Sequence, residues 1–260
     1  MNRRHLLTGM ISLPATAQIA RLGAASNLPR AWYELRWFSL RNGSHAPRMM
    51  QLLRDHWAPA AKRVGIQSAG FFQPTIGDQN PSVLMLSVFQ SPDEAAGAWD
   101  KLHRDDEFAA AYQAAQSPEP AFERMDVTLL HAFEGMPAAV TPEPLPGNAA
   151  HIFELRTYES NSMVSLRTKL EMFNGGEIQI FQRLGMAPVF FGEGVFGRNL
   201  PSLTYMLSFR NLAERERLWS AFVADAEFTR LRTKPGYSDP DIVSTISNAI
   251  LQPMAFSQIR

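Results

Sequence analysis

Apolar and polar residues alternate with period two along residues 33–38 (Tyr-Glu-Leu-Arg-Trp-Phe) and again along 153–158 (Phe-Glu-Leu-Arg-Thr-Tyr), as in a half-buried strand. The period then changes to steps of three and four. Met49, Leu52, Leu53, His56, Ala60 and Val64 line one face of a helix that Gly65 stops, and Pro59 is expected to kink it. Met163, Leu166, Leu170 and Phe173 do the same in the second stretch, which breaks at Asn174-Gly175-Gly176 and resumes through Ile178, Phe181 and Leu184. Strands are predicted at 68–73 and 187–192, each holding a Phe-Phe pair, and at 83–89 and 203–209. Ser91-Pro92-Asp93-Glu94 and Asn211-Leu212-Ala213-Glu214 read as capped helix starts with early acids. Trp99, Leu102, Leu218, Trp219 and Phe222 supply the apolar faces of those helices. Shorter helices at 107–115 and 227–232 precede last strands at 127–133 and 246–251. The order is βαββαβ, twice.

The two stretches are copies. Glu34-Leu35-Arg36 returns 120 positions later as Glu154-Leu155-Arg156, and the same shift carries Arg63 to Arg183, Trp99 to Trp219 and Asp105 to Asp225. A gapless shift of domain length implies a tandem duplication, so the fold class expected is α+β, with two ferredoxin-like domains at 31–134 and 151–258. Residues 135–150, with Pro137, Pro142, Pro144 and Pro146, form a semi-rigid linker. Helices on one face of each four-stranded sheet leave the other face uncovered. Packed sheet to sheet, the two copies cover each other and can close a barrel within one chain.

Charge changes the picture by exclusion. With 25 basic and 25 acidic residues and no basic block, the chain lacks the electrostatic footprint of a nucleic-acid binder. No apolar run reaches the length of a membrane span, so no integral membrane segment is expected. The absence of cysteine excludes disulfides, thiolate nucleophiles and Cys-ligated metals. Residues 1–25 read as a targeting segment. Arg3-Arg4-His5-Leu6-Leu7 resembles the twin-arginine export motif, an apolar run follows, and small residues near Ala17 or Ala25 offer cleavage sites. That predicts a periplasmic product; a cytoplasmic protein with an ordinary N-terminus is the alternative.

Leu212-Ala213-Glu214-Arg215-Glu216 running to Trp219, then Phe222, Asp225, Glu227 and Phe228, resembles the signature of NIPSNAP-family domains. The Glu154–Tyr158 opening and the Lys234-Pro235-Gly236 turn agree with it, and the first half is a divergent copy. The resemblance implies a pseudo-dimeric α+β barrel. That group includes cofactor-free monooxygenases, haem-handling proteins and domains with no assigned chemistry, so function stays open.

Candidate ligand-binding residues follow from the opening strands. Glu34 and Arg36, and Glu154, Arg156 and Tyr158, share a face because they are two apart, and are expected to line the barrel interior. They suit either a Glu–Arg network holding the sheets in register, the favoured role, or an anion site. His131, in a last strand, could face the cavity as a base or an axial haem ligand. No histidine pair has metal-ligand spacing, and no metal or cofactor is expected. His56-Trp57 falls where cavities open in this fold by family analogy. Residues 192–197 (Gly-Glu-Gly-Val-Phe-Gly) lie between strands, which rules out a phosphate loop and predicts a flexible hairpin or lid. Trp99 and Trp219 are expected as core anchors. Two functions remain: a binding or interaction module, slightly favoured, and an enzyme acting on a small apolar or aromatic molecule by cofactor-free or haem-assisted chemistry. A homo-oligomer is compatible with either. A cavity of roughly 300 Å³ or more beside Arg156 and Tyr158 would favour the enzyme.

Overall fold

The computed structural model describes residues 29–66, 68–78 and 80–260. The export segment expected at 1–25 lies outside the described residues. Eight antiparallel strands form a closed barrel. β1 (Trp32–Ser39), β2 (Ser68–Ile76), β3 (Ser82–Phe89) and β4 (Arg124–Ala132) belong to the first copy. β5 (Ile152–Glu159), β6 (Ala187–Phe196), β7 (Ser202–Phe209) and β8 (Thr245–Pro253) belong to the second. The spatial order is β1-β3-β2-β8-β5-β7-β6-β4, closing back on β1. Each copy therefore contributes one sheet, and the sheets meet edge to edge at two seams, β2 with β8 and β4 with β6. This is the pseudo-dimeric α+β barrel, with every strand paired on both sides and no open edge among them.

The faces of the opening strands are the reverse of the expectation. Tyr33, Leu35, Phe153 and Leu155 fill the barrel with Leu86, Leu130 and Leu251. Glu34, Arg36, Glu154, Arg156 and Tyr158 point outward, beneath the helices. An alternating strand declares two faces without saying which is enclosed. Here the helix layer supplies partners for charge, which an apolar lumen could not do. The Phe-Phe pairs divide likewise: Phe72 and Phe190 enter the lumen, while Phe71 and Phe191 pack under the helices.

In the first copy the helix layer holds α1 (His45–Gln51), α2 (Ala58–Arg63), α3 (Pro92–His103) and α4 (Asp106–Ala114). In the second it holds α5 (Met163–Met172), α6 (Ile178–Arg183), α7 (Leu212–Ala224), α8 (Ala226–Arg232) and α9 (Asp239–Ile242). The expected break in the first helix is a π turn in both copies, at Leu52–Trp57 and Phe173–Glu177. The Ala58 amide reaches back to the Leu53 carbonyl, and that of Ile178 to Phe173, one residue farther than in an α-helix. Pro59 then sits in the first turn of α2, where its missing N–H is tolerated. Ser91 and Asn211 each cap a helix by accepting from the amide of Glu94 or Glu214. Those glutamates accept in return from the amides of Gln90 and Arg210, the residue before each cap, a variant of the reciprocal capping box.

Residues 192–197 are not a free lid but one arm of the β6–β7 hairpin, held in the sheet. All but the last belong to β6, where Gly192 and Gly194 pair with Ala132 and Leu130 across a seam. A Cβ on Gly192 would stand 2.7 Å from that of Leu130, inside contact distance. Glycine here allows two sheets to approach rather than a loop to flex. Gly192→Ala is expected to destabilise the barrel by about 1–3 kcal/mol through overpacking at the seam. Urea unfolding checks this, and an unchanged midpoint would mean that Leu130 can retreat freely. The linker is pinned as well: the Gly135 amide donates to Asn174 Oδ1 and the Val140 amide to the Val189 carbonyl. No helix among the described residues is long and apolar enough to cross a membrane.

Candidate functional site

Between the second sheet and its helices lies a buried polar cluster. Glu154, fully enclosed on β5, receives five donated hydrogen bonds. They come from Arg156 Nη1 (2.9 Å), Arg215 Nε (2.9 Å) and Nη2 (2.5 Å), Trp219 Nε1 (2.7 Å) and Asn248 Nδ2 (2.8 Å). Strand alternation places Glu154 and Arg156 side by side on one face of β5, and register sets Asn248 of β8 beside Arg156. Arg215 and Trp219 come from one face of α7, four residues apart. Burial pushes the Glu154 carboxyl up, but the Arg215 hydrogen bonds, the Arg156 charge and the Trp219 indole together hold it below the usual carboxylate range. Trp219 is thus more than a core anchor: it donates to Glu154 and lies 4.6 Å beneath the Arg156 guanidinium.

Because Arg215 holds Glu154 with two nitrogens, Arg156 is free to turn toward the phenols. Its Nη2 lies 3.4 Å from Tyr158 Oη, which bonds Tyr205 Oη at 2.8 Å. Arg156 Nε is buried without a partner. Burial, reinforced by Tyr158, raises the Tyr205 phenol well above its ordinary range, so it stays protonated at neutral pH. Beyond the phenols, Lys169 of α5 points inward to Glu177 of the π turn at 3.3 Å and Asp239 of α9 at 3.6 Å. Its ammonium lies 5.1 Å from the centre of the Phe173 ring. Burial pushes Glu177 up against the opposing charge of Lys169, so the pair retains its proton to higher pH than an exposed carboxylate would. The cluster concentrates cations around two phenols and offers an unpaired Arg156 N–H, which suits it to hold an anion or a carbonyl oxygen.

The first copy shows what the site becomes without this chemistry. At the positions of Tyr158, Lys169, Glu177 and Tyr205, 120 residues earlier, stand Phe38, Met49, Trp57 and Met85, all buried in one apolar cluster. Ala95 replaces Arg215, and Glu34 is left with Arg36, bonded through Nε (3.0 Å) and Nη2 (2.9 Å), and the Trp99 indole. Arg36 spends its remaining nitrogen on the Met125 sulfur and lies 4.3 Å over the Trp99 ring. That pair is closed on itself.

Of the residues singled out in the sequence, Glu154, Arg156 and Tyr158 converge, while Glu34 and Arg36 form their own pair in the other half. His131 joins neither. It lies on the outer face of β4, stacked on Trp32 at 4.3 Å, and burial with the Arg30 charge lowers its pKa. Lys169, Glu177 and Tyr205 escaped sequence reasoning, and Arg215 entered it only as part of the family signature. Lys169 falls on the buried stripe of its helix between Leu166 and Phe173, so a charge in an apolar register was the available signal. Among the described residues there is no group of three or more metal-ligating side chains. A cavity of about 360 Å³ opens at one end of the barrel, lined by Leu155 and Thr157 on the face of β5 opposite Arg156 and Tyr158. An open groove of about 540 Å³ runs past His56 between its π turn and α4.

No curated protein sequence matches the chain. Among solved structures, the "putative monooxygenase" of Lactobacillus acidophilus NCFM aligns at a TM-score of 0.55 and 10% identity, over 86% of this chain and 94% of that one. An anthrone oxidase-like protein aligns at 0.52 and 10% identity, over 86% and 92%. A NIPSNAP-like domain protein from Burkholderia xenovorans is 21% identical over 42% of this chain and 90% of its own, with a TM-score of 0.38. At such identities the two barrel-length likenesses show a shared fold alone. The NIPSNAP family model matches residues 33–135 and 153–258, one segment per copy, and on that match over most of its length the chain belongs to the NIPSNAP family.

Proposed function

We propose that the protein is a small-molecule-binding module whose working site is the Arg156–Tyr158–Lys169–Glu177–Tyr205 cluster of the second copy. The exchange between copies carries this reading. Phe38, Met49, Trp57 and Met85 show that the same positions can be filled by apolar side chains, so the charges of the second copy are not needed to build the fold. Burying them costs stability that an apolar set would not, and a ligand accounts for their presence. The fitting ligand has an apolar, aromatic body to lie against Phe173 and Phe181 and an anionic or carbonyl oxygen for Arg156 and Lys169. Benzoate and salicylate are suitable probes. Either should raise the Tm of the wild-type protein and leave that of Lys169→Met unmoved. Equal shifts in both proteins would place binding elsewhere.

A second reading, a cofactor-free enzyme of the oxygenase type, draws on the same cluster. Cations around two phenols would stabilise an anion formed by proton removal from a bound aromatic molecule. The names of the monooxygenase and anthrone oxidase-like structures fit that reading. Turnover of a bound phenol with consumption of oxygen would separate it from simple binding.

The reading includes export by the twin-arginine route to the periplasm, with loss of roughly the first 25 residues. Arg3-Arg4, the apolar run and the small-residue exit support it. Replacing both arginines by lysine should leave the full-length chain in the cytoplasm on cell fractionation. Unchanged export of that variant would end the proposal.

A further inference from the structure

The two ends of the barrel lumen are built differently. At one end Tyr33 packs on Phe190 and Phe72 on Phe153, with ring centres about 5 Å apart, and Ile259 of the C-terminal tail closes the space. At the other end the lumen opens into the cavity of about 360 Å³. That volume lies within the roughly 300–1,000 Å³ of small-molecule sites. A barrel that needed only packing would repeat the aromatic layer there.

The walls of this mouth are chemically unlike. On the first copy's side, Leu35 and Trp37 of β1 present an apolar surface and an indole. On the second copy's side, Thr157, Ser202 and Thr204 present hydroxyls, and the latter two are almost wholly buried. The duplication sharpens the contrast, because Trp37 stands where the second copy has Thr157, and Leu84 where it has Thr204. Thr157 and Thr204 bond each other at 2.9 Å, so one hydroxyl hydrogen remains to be directed at a ligand. At the rim, Asp126 is held by Arg198 at 3.0 Å and Arg124 at 3.3 Å, which fixes its carboxylate and offsets its charge. Asp78 and Asn199 add further acceptors.

We propose that this open end is a second binding site, for a neutral, hydroxyl-rich molecule with one apolar face, of about mono- to disaccharide size. The indole covers the C–H face of such a ring, and threonine, serine and carboxylate oxygens take its hydroxyls. The charge-balanced rim gives a charged ligand no preference. β5 separates this site from the cluster under the helices, since Leu155 and Thr157 lie on the face opposite Glu154, Arg156 and Tyr158.

Glucose, maltose and myo-inositol are the probes, measured by isothermal titration calorimetry on the intact protein. At least one should bind saturably and be weakened about tenfold or more in Thr204→Leu, which carries the first copy's residue into the second. If that variant fails to fold, Trp37→Leu on the opposite wall should weaken binding to a similar degree. Three results would overturn the proposal: no saturable heat from any probe up to about 50 mM, binding undiminished in the folded variants, or tighter binding of glucuronate than of glucose.

Discussion

Arg36→Ala is expected to destabilise the protein more than Arg156→Ala, although the two arginines occupy the same place in their copies. Glu34 has Arg36 and the Trp99 indole for partners, so losing Arg36 strands a buried carboxylate, at a cost of about 3–5 kcal/mol. Glu154 would still hold Arg215, Trp219 and Asn248, so losing Arg156 removes one charged hydrogen bond, worth about 1.5–3 kcal/mol. Acid should narrow the gap. Burial already raises the Glu34 carboxyl, and removing Arg36 raises it further. The folded variant therefore binds a proton before the unfolded chain does. It regains stability as pH falls through that raised value toward the ordinary carboxylate range. Urea unfolding of both variants at pH 7 and pH 5 measures the order and the convergence. Equal losses at pH 7 would mean that Arg215 does not hold Glu154 as described.

Lys169→Met is expected to cost about 3–5 kcal/mol by leaving Glu177 buried without its cation. Adding Glu177→Leu should reverse the loss and leave a protein as stable as the wild type, or more stable by about 1–4 kcal/mol, because well-packed apolar groups often outdo a buried ion pair. The two changes are in contact and will not add. The double variant should also show no Tm response to benzoate or salicylate. Stability regained with binding lost would show that the ion pair is kept for the ligand. A double variant no more stable than Lys169→Met would instead make the pair a structural requirement of the helix layer.

The 120-residue shift and the alternation of period two and period three to four were enough to read the strand and helix order, the duplication and the barrel, because each depends on spacing along the chain. Glu154, Arg156 and Tyr158 were legible as a group for the same reason. Which side of β5 they occupied was not, since the pattern is unchanged when the two faces are exchanged. Lys169 and Glu177 were hidden because a charge on a helix is ordinarily solvated, and nothing in the spacing says that the π turn following α5, with Asp239 of α9, encloses this one. The glycines at 192–197 misled for a related reason. Glycine suits both a flexible turn and a close approach, and the neighbour that decides between them, Leu130, is some sixty residues away in the chain.

Closure of both seams by a single chain has an evolutionary consequence. In a barrel assembled from two identical subunits, any change that fills one pocket fills its mate, and a substitution that suits one environment is imposed on the other. Here the two sheets are encoded separately. Phe38, Met49, Trp57 and Met85 can therefore stand on one side and Tyr158, Lys169, Glu177 and Tyr205 on the other. Each half is thereby exposed to its own selection: one can specialise as ballast that stabilises the shell, leaving the other to carry charge it could not otherwise sustain.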